Sequence, residues 1–218
     1  MNNHGNNHDG APELQEIYRD PWLLILDKPS GLPSQSPRGG GANLYDLARR
    51  AEGSGGYVAL HHRLDTPASG LILMALHRAA NRGLAEAFRE HTVQRTYLAV
   101  VLGDPGAAGR WEAPIDGQPA ATRWRRLGTG RGMSTLEVSL ETGRTHQIRR
   151  HASEAQHPLL GDRRHGGAAG RVWRRLALHA WRLALTHPVT GEALSLEAPP
   201  PADLTRLLTR AGFEGVTE

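Results

Sequence analysis

Asp65 is the residue of this chain whose position most calls for a chemical explanation. It ends the segment Leu-His-His-Arg-Leu-Asp at 60–65, just before a turn over 66–70 and an apolar run over 71–76. A carboxylate beside a buried strand is costly unless a cation or hydrogen bonds hold it. Asp is also common before turns, where its side chain caps the backbone. Two interpretations are therefore open, a turn cap and a reactive carboxylate.

A second segment supplies the cation that such a carboxylate needs. Residues 141–151 read Glu-Thr-Gly-Arg-Thr-His-Gln-Ile-Arg-Arg-His, an arginine-rich stretch with a glycine turn. Arg149 is the candidate partner of Asp65, because a nearby guanidinium favours the ionised form that a nucleophilic carboxylate needs. A phosphate contact or a solvated helix position would also account for Arg149. The two segments together form the skeleton of an active site with a single carboxylate.

The positive charge of the chain is concentrated in its second half. The formal net charge is +4, and Lys28 is the single lysine among 26 basic residues. Residues 110–182 contain 14 arginines against 6 acidic residues, a local excess of 8. Genomic base composition explains the preference for arginine over lysine, but it does not explain the clustering. Because arginine matches phosphate geometry and stacks on bases, the cluster predicts binding to nucleic acid.

The composition excludes several classes of protein. Cysteine is absent, which removes disulfides, thiolate metal sites and a cysteine nucleophile and favours a cytoplasmic location. Residues 1–12 predict a disordered polar tail and not a signal peptide. No apolar run approaches the roughly 20 residues needed to cross a bilayer, so no membrane partner is expected. The remaining residues, 13–218, are predicted to form one domain.

Four histidines could suggest a zinc site, namely His146, His151, His157 and His165. Their spacings match no standard metal motif, and no cysteine or paired acid accompanies them. We therefore predict no metal. A simpler interpretation is that His146 and His151 orient neighbouring groups or contact a nucleic acid.

The order of strands and helices predicts an α+β fold. Strands are predicted over 22–27, 71–76, 93–102, 122–127, 135–140, 176–185 and 192–197, and helices over 44–51, 77–90, 145–155 and 202–211. Residues 104–133 are predicted to be loops with one short strand, and 161–173 a basic loop. Strands outnumber helices and do not alternate with them regularly, which favours a mostly antiparallel mixed sheet with flanking helices and loops.

Several short motifs follow one another along the chain in the order of a known family. His-Arg-Leu-Asp at 62–65, followed by Ser-Gly-Leu at 69–71, resembles the central motif of the RluA-type pseudouridine synthases. Three more segments resemble motifs of that family, namely Asp-Lys-Pro-Ser-Gly-Leu at 27–32, Arg-Thr-Tyr at 95–97 and Thr-Gly-Arg-Thr-His-Gln-Ile-Arg at 142–149. With further matches at 157–162, 178–181 and 186–192, the resemblance covers roughly residues 15–198.

The resemblance implies a reaction and roles for particular residues. RluA-type enzymes isomerise uridine to pseudouridine within RNA on a pseudouridine synthase-like fold, with no cofactor or metal. The aspartate matching Asp65 is the nucleophile that starts cleavage of the C1′–N1 bond, after which the uracil rotates and rejoins through C5. Tyr97 matches the tyrosine that stacks on the base and is a candidate for the proton transfers. Arg149 matches the arginine that pairs with the aspartate.

The same resemblance indicates where RNA would bind. Arg63 matches the arginine that contacts RNA and can fill the gap left by a flipped nucleotide. The neighbouring residues expected to bind RNA are His62, Arg144, His146 and Arg150. The chain departs from the family at Arg95, where lysine is usual, and at Ala68, where threonine is frequent. These two departures concern fine positioning and not the class of reaction.

Two other functions are compatible with parts of the sequence. A non-catalytic protein that binds or remodels RNA would carry the same basic cluster, although an anion such as Asp65 in a basic cleft would repel phosphate. A glycosidase or nucleoside hydrolase also attacks a glycosidic bond, but such enzymes typically need two carboxylates. Asp27 is the one competitor for the second carboxylate, and its Asp-Lys-Pro turn is more typical of a structural role.

The resemblance also suggests a substrate. Residues 143–151 and 161–166 look closest to the TruC-type branch, which acts on transfer RNA, and no RNA-binding domain is predicted ahead of the catalytic domain. We therefore expect tRNA as the substrate, with a stem-loop of 23S rRNA as the next choice, and a monomeric protein.

Overall fold

The fold is an α+β arrangement built on one ten-stranded sheet. The computed structural model describes residues 14–36 and 40–215, so the tail predicted over 1–12 lies outside the described residues. The strands are β1 (Gln15–Arg19), β2 (Leu23–Lys28), β3 (Ala59–Leu60), β4 (Ser69–Ala75), β5 (Gln94–Leu102), β6 (Ala108–Trp111), β7 (Thr122–Gly130), β8 (Met133–Leu140), β9 (Leu178–Thr186) and β10 (Ala193–Glu197). The helices are α1 (Leu44–Ala51), α2 (Arg78–Arg89), α3 (Gln147–Glu154) and α4 (Ala202–Arg210), with a 3₁₀ turn at Ala169–Arg171.

The sheet is mixed and mostly antiparallel, which confirms the predicted fold class. Its strands follow the order β1-β2-β4-β9-β5-β8-β7-β6, with β3 added to β4 and β10 added to β9. The pair β4–β9 is parallel, and each of the other strand pairs is antiparallel. Strand β9 lies between β4 and β5 and so joins the two halves of the sheet. The segments that carry Asp65 and Tyr97 meet through this central strand.

The parallel contact between β4 and β9 requires a glycine. Gly70 has a φ of 110°, and a Cβ atom at this position would lie 2.3 Å from the carbonyl oxygen of Ala180. Any side chain would therefore push β4 away from β9. Because Gly70 follows Asp65 by five residues, this close approach also sets where the turn after Asp65 enters the sheet.

The predicted elements agree with the structure best where the sequence is strongly apolar or periodic. Helix α1 has the predicted bounds, whereas α3 is shorter than predicted at both ends. Residues 104–133 contain two strands and not one, because the edge strand β6 has a polar, glycine-containing sequence. Strands β1 and β3 were not predicted either. Of the described helices, none is both long enough and apolar enough to cross a membrane.

Lys28 holds two turns together at the end of β2. Its side chain is fully buried, and its Nζ atom donates to four backbone carbonyls, those of Pro29 (2.9 Å), Leu32 (2.8 Å), Thr66 (3.3 Å) and Ala68 (2.6 Å). Two of these carbonyls belong to the turn that follows Asp65. Burial lowers the pKa of Lys28 to about 7, while carbonyl oxygens, which only accept, favour the ammonium form. Lys28 therefore fixes the backbone beside Asp65.

His62 is partly buried and lines the cavity that also contains Asp65. Its Nε2 atom accepts a hydrogen bond from the backbone N–H of Leu73 at 2.8 Å, and its ring stacks on Phe88 with the centroids 5.0 Å apart. Because Nε2 accepts, the ring is neutral and its proton is on Nδ1, which has no partner among the described residues. Burial and the nearby positive charge of Arg95 together lower the pKa of His62 to about 3. These contacts favour a structural role, and RNA binding by His62 stays a prediction.

We predict that replacing Lys28 with methionine destabilises the protein. Lys28→Met keeps much of the buried alkyl chain but leaves four carbonyls without their donor, which should lower the free energy of unfolding by about 2–4 kcal/mol. Urea denaturation at pH 7 measures this change. Arg89→Met, on the exposed face of α2, is the control and should stay within about 0.5 kcal/mol of the parent protein. If Lys28→Met also changed the free energy of unfolding by no more than about 0.5 kcal/mol, Lys28 would not hold the two turns together.

We predict that the neutral form of His62 makes stability depend on pH. The folded pKa is below the unfolded value of about 6.5, so the contribution is complete above pH 6.5 and is lost as the pH falls towards 3. His62→Gln keeps an acceptor for Leu73 but cannot take up a proton. Between pH 7 and pH 5 the parent should lose about 1–2 kcal/mol more than His62→Gln in urea denaturation. His91→Gln, at an exposed position, should behave like the parent, and equal losses in all three proteins would contradict the prediction.

Candidate active site

Asp65 lies at the edge of a cleft and is partly open to solvent. Its side chain is 22% exposed, and its Oδ2 atom accepts a hydrogen bond from Nη1 of Arg149 at 2.8 Å. The other oxygen, Oδ1, receives no hydrogen bond from the described residues, and Nε2 of His146 lies 3.9 Å from it. The structure therefore contains the predicted pair of Asp65 and Arg149. One carboxylate oxygen is held while the other faces the cleft.

The backbone around Asp65 is fixed by buried hydrogen bonds. The hydroxyl of Ser34 donates to the carbonyl of Leu64 at 2.8 Å and accepts from the amide of the same residue at 3.0 Å. The amide of Ala68 closes the turn by donating to the carbonyl of Asp65 at 3.0 Å. With the contacts of Lys28 to the same turn, these bonds give the carboxylate a fixed direction.

Asp162 anchors Arg149 from the opposite side. The guanidinium donates through Nε (2.8 Å) and Nη2 (2.7 Å) to the two oxygens of Asp162, whose side chain is fully buried. The backbone amides of Arg164 and His165 also donate to Oδ1 of Asp162, at 3.1 and 3.0 Å. This bidentate pair leaves Nη1 of Arg149 directed at Asp65. Arg149 is thus a bridge between two carboxylates and not a solvated helix residue.

The ionised forms of this bridge are the stable ones. Burial by itself raises the pKa of Asp162, but the hydrogen bonds from Arg149 and from the amides of His165 and Arg164 outweigh it, so the pKa lies below its usual value. Burial likewise disfavours the cation of Arg149, and the hydrogen bonds to Asp162 and Asp65 reverse that effect and raise its pKa. Arg149 therefore presents a permanent positive charge to Asp65 at every physiological pH.

The side chain of Gln147 holds the glycine-containing turn before α3 in place through hydrogen bonds. Its Oε1 atom accepts from the hydroxyl of Thr142 (2.6 Å) and the amide of Arg144 (3.0 Å), and its Nε2 atom donates to the carbonyl of Ala121 and the hydroxyl of Thr122. This buried amide thus ties the turn at 142–144 to the start of β7. The same anchoring sets the position from which α3 carries Arg149 to Asp65.

Tyr97 forms the apolar floor of the cleft beside Asp65. It lies on β5, is 6% exposed and belongs to the core cluster that also contains Leu64, Ile148 and Leu178. The same apolar residues line the space next to Asp65. Burial raises the pKa of Tyr97, and the negative charge of Asp65 raises it further, so the phenol stays protonated at neutral pH. The arrangement provides an aromatic surface and a proton-bearing oxygen next to a carboxylate.

His146 and His165 form a neutral pair next to the carboxylate. Nδ1 of His146 lies 2.9 Å from Nε2 of His165, and His146 adopts a left-handed backbone conformation with a φ of 55° just before α3. Burial lowers the pKa of both rings, although the charge of Asp65 raises that of His146 and the charge of Asp162 that of His165. His146 therefore faces Asp65 as a neutral imidazole near pH 7.

The residues predicted to contact RNA fall into two groups. Arg63 and Arg144 are exposed and line the cleft together with His146 and Asp65, in a cavity of about 720 Å³. Arg150 does not line this cavity and pairs with Asp116 at 2.9 Å. RNA binding by Arg150 stays a prediction, and Arg150 lies outside the cleft that contains Asp65.

The histidines considered for zinc do not converge. His151 bonds to the hydroxyl of Thr122 and the carbonyl of Ala113, and His157 lies 3.0 Å from the carbonyl of Leu102. Within residues 14–36 and 40–215, no group of three or more histidine, aspartate or glutamate side chains is arranged to hold a metal ion.

Two residues of the site were missed in the sequence. Asp162 was read only as the end of a matching motif, although it directly follows the apolar residues Leu159 and Leu160 and Gly161, where a buried carboxylate needs a partner. Lys28 is the single lysine of an arginine-rich chain, which could have marked it as a position where arginine does not fit. Neither signal reveals the partner of the residue, since that depends on the tertiary fold.

Comparison with known proteins assigns the chain to a family. Residues 22–154 match the model of the RNA pseudouridylate synthase family. The tRNA pseudouridine synthase C of Salmonella typhi is 35% identical, over 93% of this chain and 92% of the relative. The ribosomal large subunit pseudouridine synthase D of Zymomonas mobilis is 32% identical, over 89% of this chain and 71% of the relative.

A solved structure agrees with this assignment. The human RNA pseudouridylate synthase domain containing 4 superposes with a TM-score of 0.76 at 24% identity, over 90% of this chain and 92% of that one, which shows a shared fold. The matched residues 22–154 include Asp65, Tyr97 and Arg149. The chain belongs to the RluA family of RNA pseudouridine synthases.

Proposed function

We propose that this protein isomerises uridines in structured RNA with Asp65 as the nucleophile. The observation that carries the proposal is the contact of 2.8 Å between Arg149 and Oδ2 of Asp65. Arg149 is locked by Asp162, and Oδ1 of Asp65 is left open to the cleft. A nucleophile must be fixed in direction and accessible, and this carboxylate meets both conditions.

The proposed reaction balances without an added reagent. An oxygen of Asp65 bonds to C1′ as the C1′–N1 bond breaks, and the uracil leaves with the bonding electrons on N1 while remaining in the cleft. After rotation, C5 forms the new bond to C1′ as the bond between C1′ and the oxygen of Asp65 breaks, which restores the carboxylate. The hydrogen of C5 departs as a proton and N1 gains one, so the product is an isomer of the substrate. Arg149, held by Asp162, places a positive charge beside Asp65 throughout the cycle.

Tyr97 is the best placed group to hold the base. A uracil on its ring gains about 1–3 kcal/mol from stacking, which does not depend on charge. The raised pKa of Tyr97 keeps its proton on the phenol, so the residue can donate a hydrogen bond to the uracil or take part in the transfer of a proton. An aromatic floor beside a carboxylate also explains why a neutral base, and not a phosphate, would occupy this part of the cleft.

The open sides of the cleft suit a flipped nucleotide. Taking a base out of a stack costs a few kcal/mol, which contacts to the rest of the RNA must offset. Arg63 and Arg144 are exposed on the rim of the cavity that contains Asp65. A planar guanidinium can stack in the gap left by the flipped base and can pair with the flanking phosphates.

Transfer RNA is the proposed substrate, with a stem-loop of 23S rRNA as the second candidate. The relative from Salmonella typhi that is named as a tRNA synthase is matched over 92% of its length, which is nearly the whole of that protein. This match supports tRNA, and the experiment that follows compares both RNAs directly.

We predict that Asp65→Asn abolishes the reaction and leaves RNA binding intact. Asparagine keeps the shape of the side chain but cannot act as the nucleophile, so turnover should fall by at least about 10³-fold. The measurement is tritium release from bulk tRNA and from 23S rRNA labelled at C5 of uracil, since the new C–C bond expels that hydrogen. The affinity for RNA should change by less than about threefold.

The control for Asp65→Asn is Asp104→Asn, which removes an exposed carboxylate paired with Arg126 outside the cleft. This variant should release tritium at the parent rate. Turnover by Asp65→Asn would end the assignment of the nucleophile. Release from 23S rRNA but not from tRNA would reverse the proposed substrate while leaving the reaction in place.

We predict that Tyr97→Phe separates stacking from proton transfer. Phenylalanine keeps the aromatic floor, so KM should stay within about threefold of the parent value, while kcat should fall by about 10²-fold if the hydroxyl transfers a proton. Tyr45→Phe removes a phenol that lies 3.4 Å from the carbonyl of Val58, away from the cleft, and should be fully active. An unchanged kcat for Tyr97→Phe would reduce Tyr97 to a stacking surface.

A further inference from the structure

A second cavity, separate from the cleft over Asp65, opens along the segment that follows Asp162. It has a volume of about 1080 Å³ and is lined by Arg163, Arg164, Arg171, Trp173 and Arg174, with glycine and alanine backbone between them. We call these five side chains the arginine groove. The isomerisation described above uses none of them. A concave surface with four arginines needs an explanation of its own.

The arginine groove is built on the same residue that anchors the active site. The carbonyl of Asp162 accepts from the amide of Gly166 at 2.7 Å, and a Cβ atom at Gly170 would lie 2.4 Å from that carbonyl. The segment thus folds tightly around the backbone of Asp162, while the carboxylate of the same residue holds Arg149. The wall of the groove is therefore rigidly connected to the side chains that hold Asp65.

Most of the charge in the arginine groove is uncompensated. Arg174 pairs with Asp203 at 3.0 Å. Among the residues that the structure describes, Arg163, Arg164 and Arg171 form no ion pair, and all three are exposed. Three unpaired guanidinium groups facing one cavity repel one another, and an anion with several charges would relieve that repulsion.

Trp173 adds an unused hydrogen-bond donor. Its indole Nε1 is buried and has no acceptor among the described residues, while the side chain lines the groove. A buried donor without a partner costs about 1–3 kcal/mol. The groove therefore combines uncompensated charge with an unsatisfied donor in its wall.

The arginine groove leads to the active site through a smaller cavity. This cavity has a volume of about 340 Å³ and is lined by Arg163, Arg164 and Arg174 of the groove, by Arg149, and by Thr66 and Pro67 of the turn after Asp65. Thr66 also lines the cleft that contains Asp65, on the other side of the turn. A strand that places one nucleotide over Asp65 could thus continue past Thr66 into the groove.

We propose that the arginine groove binds the phosphates of the RNA on one flank of the flipped uridine. This inference rests on the proposed function, because the polyanion that must pass the turn after Asp65 is the substrate itself. An acidic protein segment would also complement the charge of the groove, but it would have no reason to be aligned with the active site. With its three unpaired arginines, the groove can hold two to three phosphates. It contributes affinity without taking part in the chemistry.

The test is the triple variant Arg163→Gln/Arg164→Gln/Arg171→Gln. Its control is Arg49→Gln/Arg50→Gln/Arg82→Gln, which removes the same number of charges from exposed positions on α1 and α2. Circular dichroism establishes that both proteins fold. Filter binding to bulk tRNA over a range of salt concentrations, and tritium release from C5-labelled tRNA and 23S rRNA, provide Kd, KM and kcat.

The groove variant should bind RNA about 10- to 100-fold more weakly at 0.1 M salt, and the slope of log K against log salt should fall by about 2–3. KM should rise by a similar factor, with kcat within about twofold, and the control should match the parent protein. Equal losses in both variants would show general charge attraction and overturn the proposal. Parent-like binding by the groove variant would also overturn it and direct attention to an acidic protein partner.

The two proposals fail in different ways. If the parent protein releases no tritium from either RNA, the proposed function is wrong for those substrates, but the binding measurements still decide the role of the groove. If the parent is active and the groove variant keeps its KM and salt dependence, the groove proposal alone is wrong.

Discussion

The guanidinium of Arg149 lies between two carboxylates and donates hydrogen bonds to both of them. Asp162 takes two of its hydrogen bonds in a fully buried pair, and Asp65 takes a third at the border of the cleft. Removing one partner from such a buried pair typically costs 3–5 kcal/mol, since the other charge is left alone. The same bridge therefore stabilises the fold, joins α3 to two loops and places a permanent positive charge beside Asp65.

The backbone around Asp65 is held as firmly as its side chain. Ser34 bonds to both the amide and the carbonyl of Leu64, and Lys28 binds the carbonyls of Thr66 and Ala68. These contacts come from the end of β2 and from the loop that follows it. The position of the carboxylate is thus fixed both through its backbone and through its pair with Arg149, so that little ordering remains when a ligand binds.

The main strands and helices and the pair of Asp65 and Arg149 could be predicted from the sequence. The residues that hold this pair in place could not. The apolar runs of β2 and β5 and the periodicity of α2 are strong local signals, and they predicted these elements well. The edge strand β6 was missed because it is short and its sequence contains a glycine and an arginine, so it has no apolar run. Asp162 and Lys28 were missed for another reason. Their importance lies in partners that only the folded sheet brings within reach, and no local pattern reports burial of a charge.

His62 has structural contacts that no local pattern reports. Its position in the motif beside Arg63 predicted a contact with RNA, and this stays a prediction because His62 lines the same cavity as Arg63. Its ring also packs on Phe88 and accepts a hydrogen bond from the amide of Leu73. Both partners are distant in the sequence, so only the folded chain brings them to His62.

The central place of β9 in the sheet has a consequence for how the enzyme matures in the cell. The ribosome releases β4 and β5 well before β9, which begins at Leu178 and must insert between them. At synthesis rates of about 5–20 residues per second, the two halves wait roughly 4–15 s for the strand that joins them. During that interval the cleft between Asp65 and Tyr97 lacks the wall that Leu178 of β9 provides, so it is completed only late in synthesis.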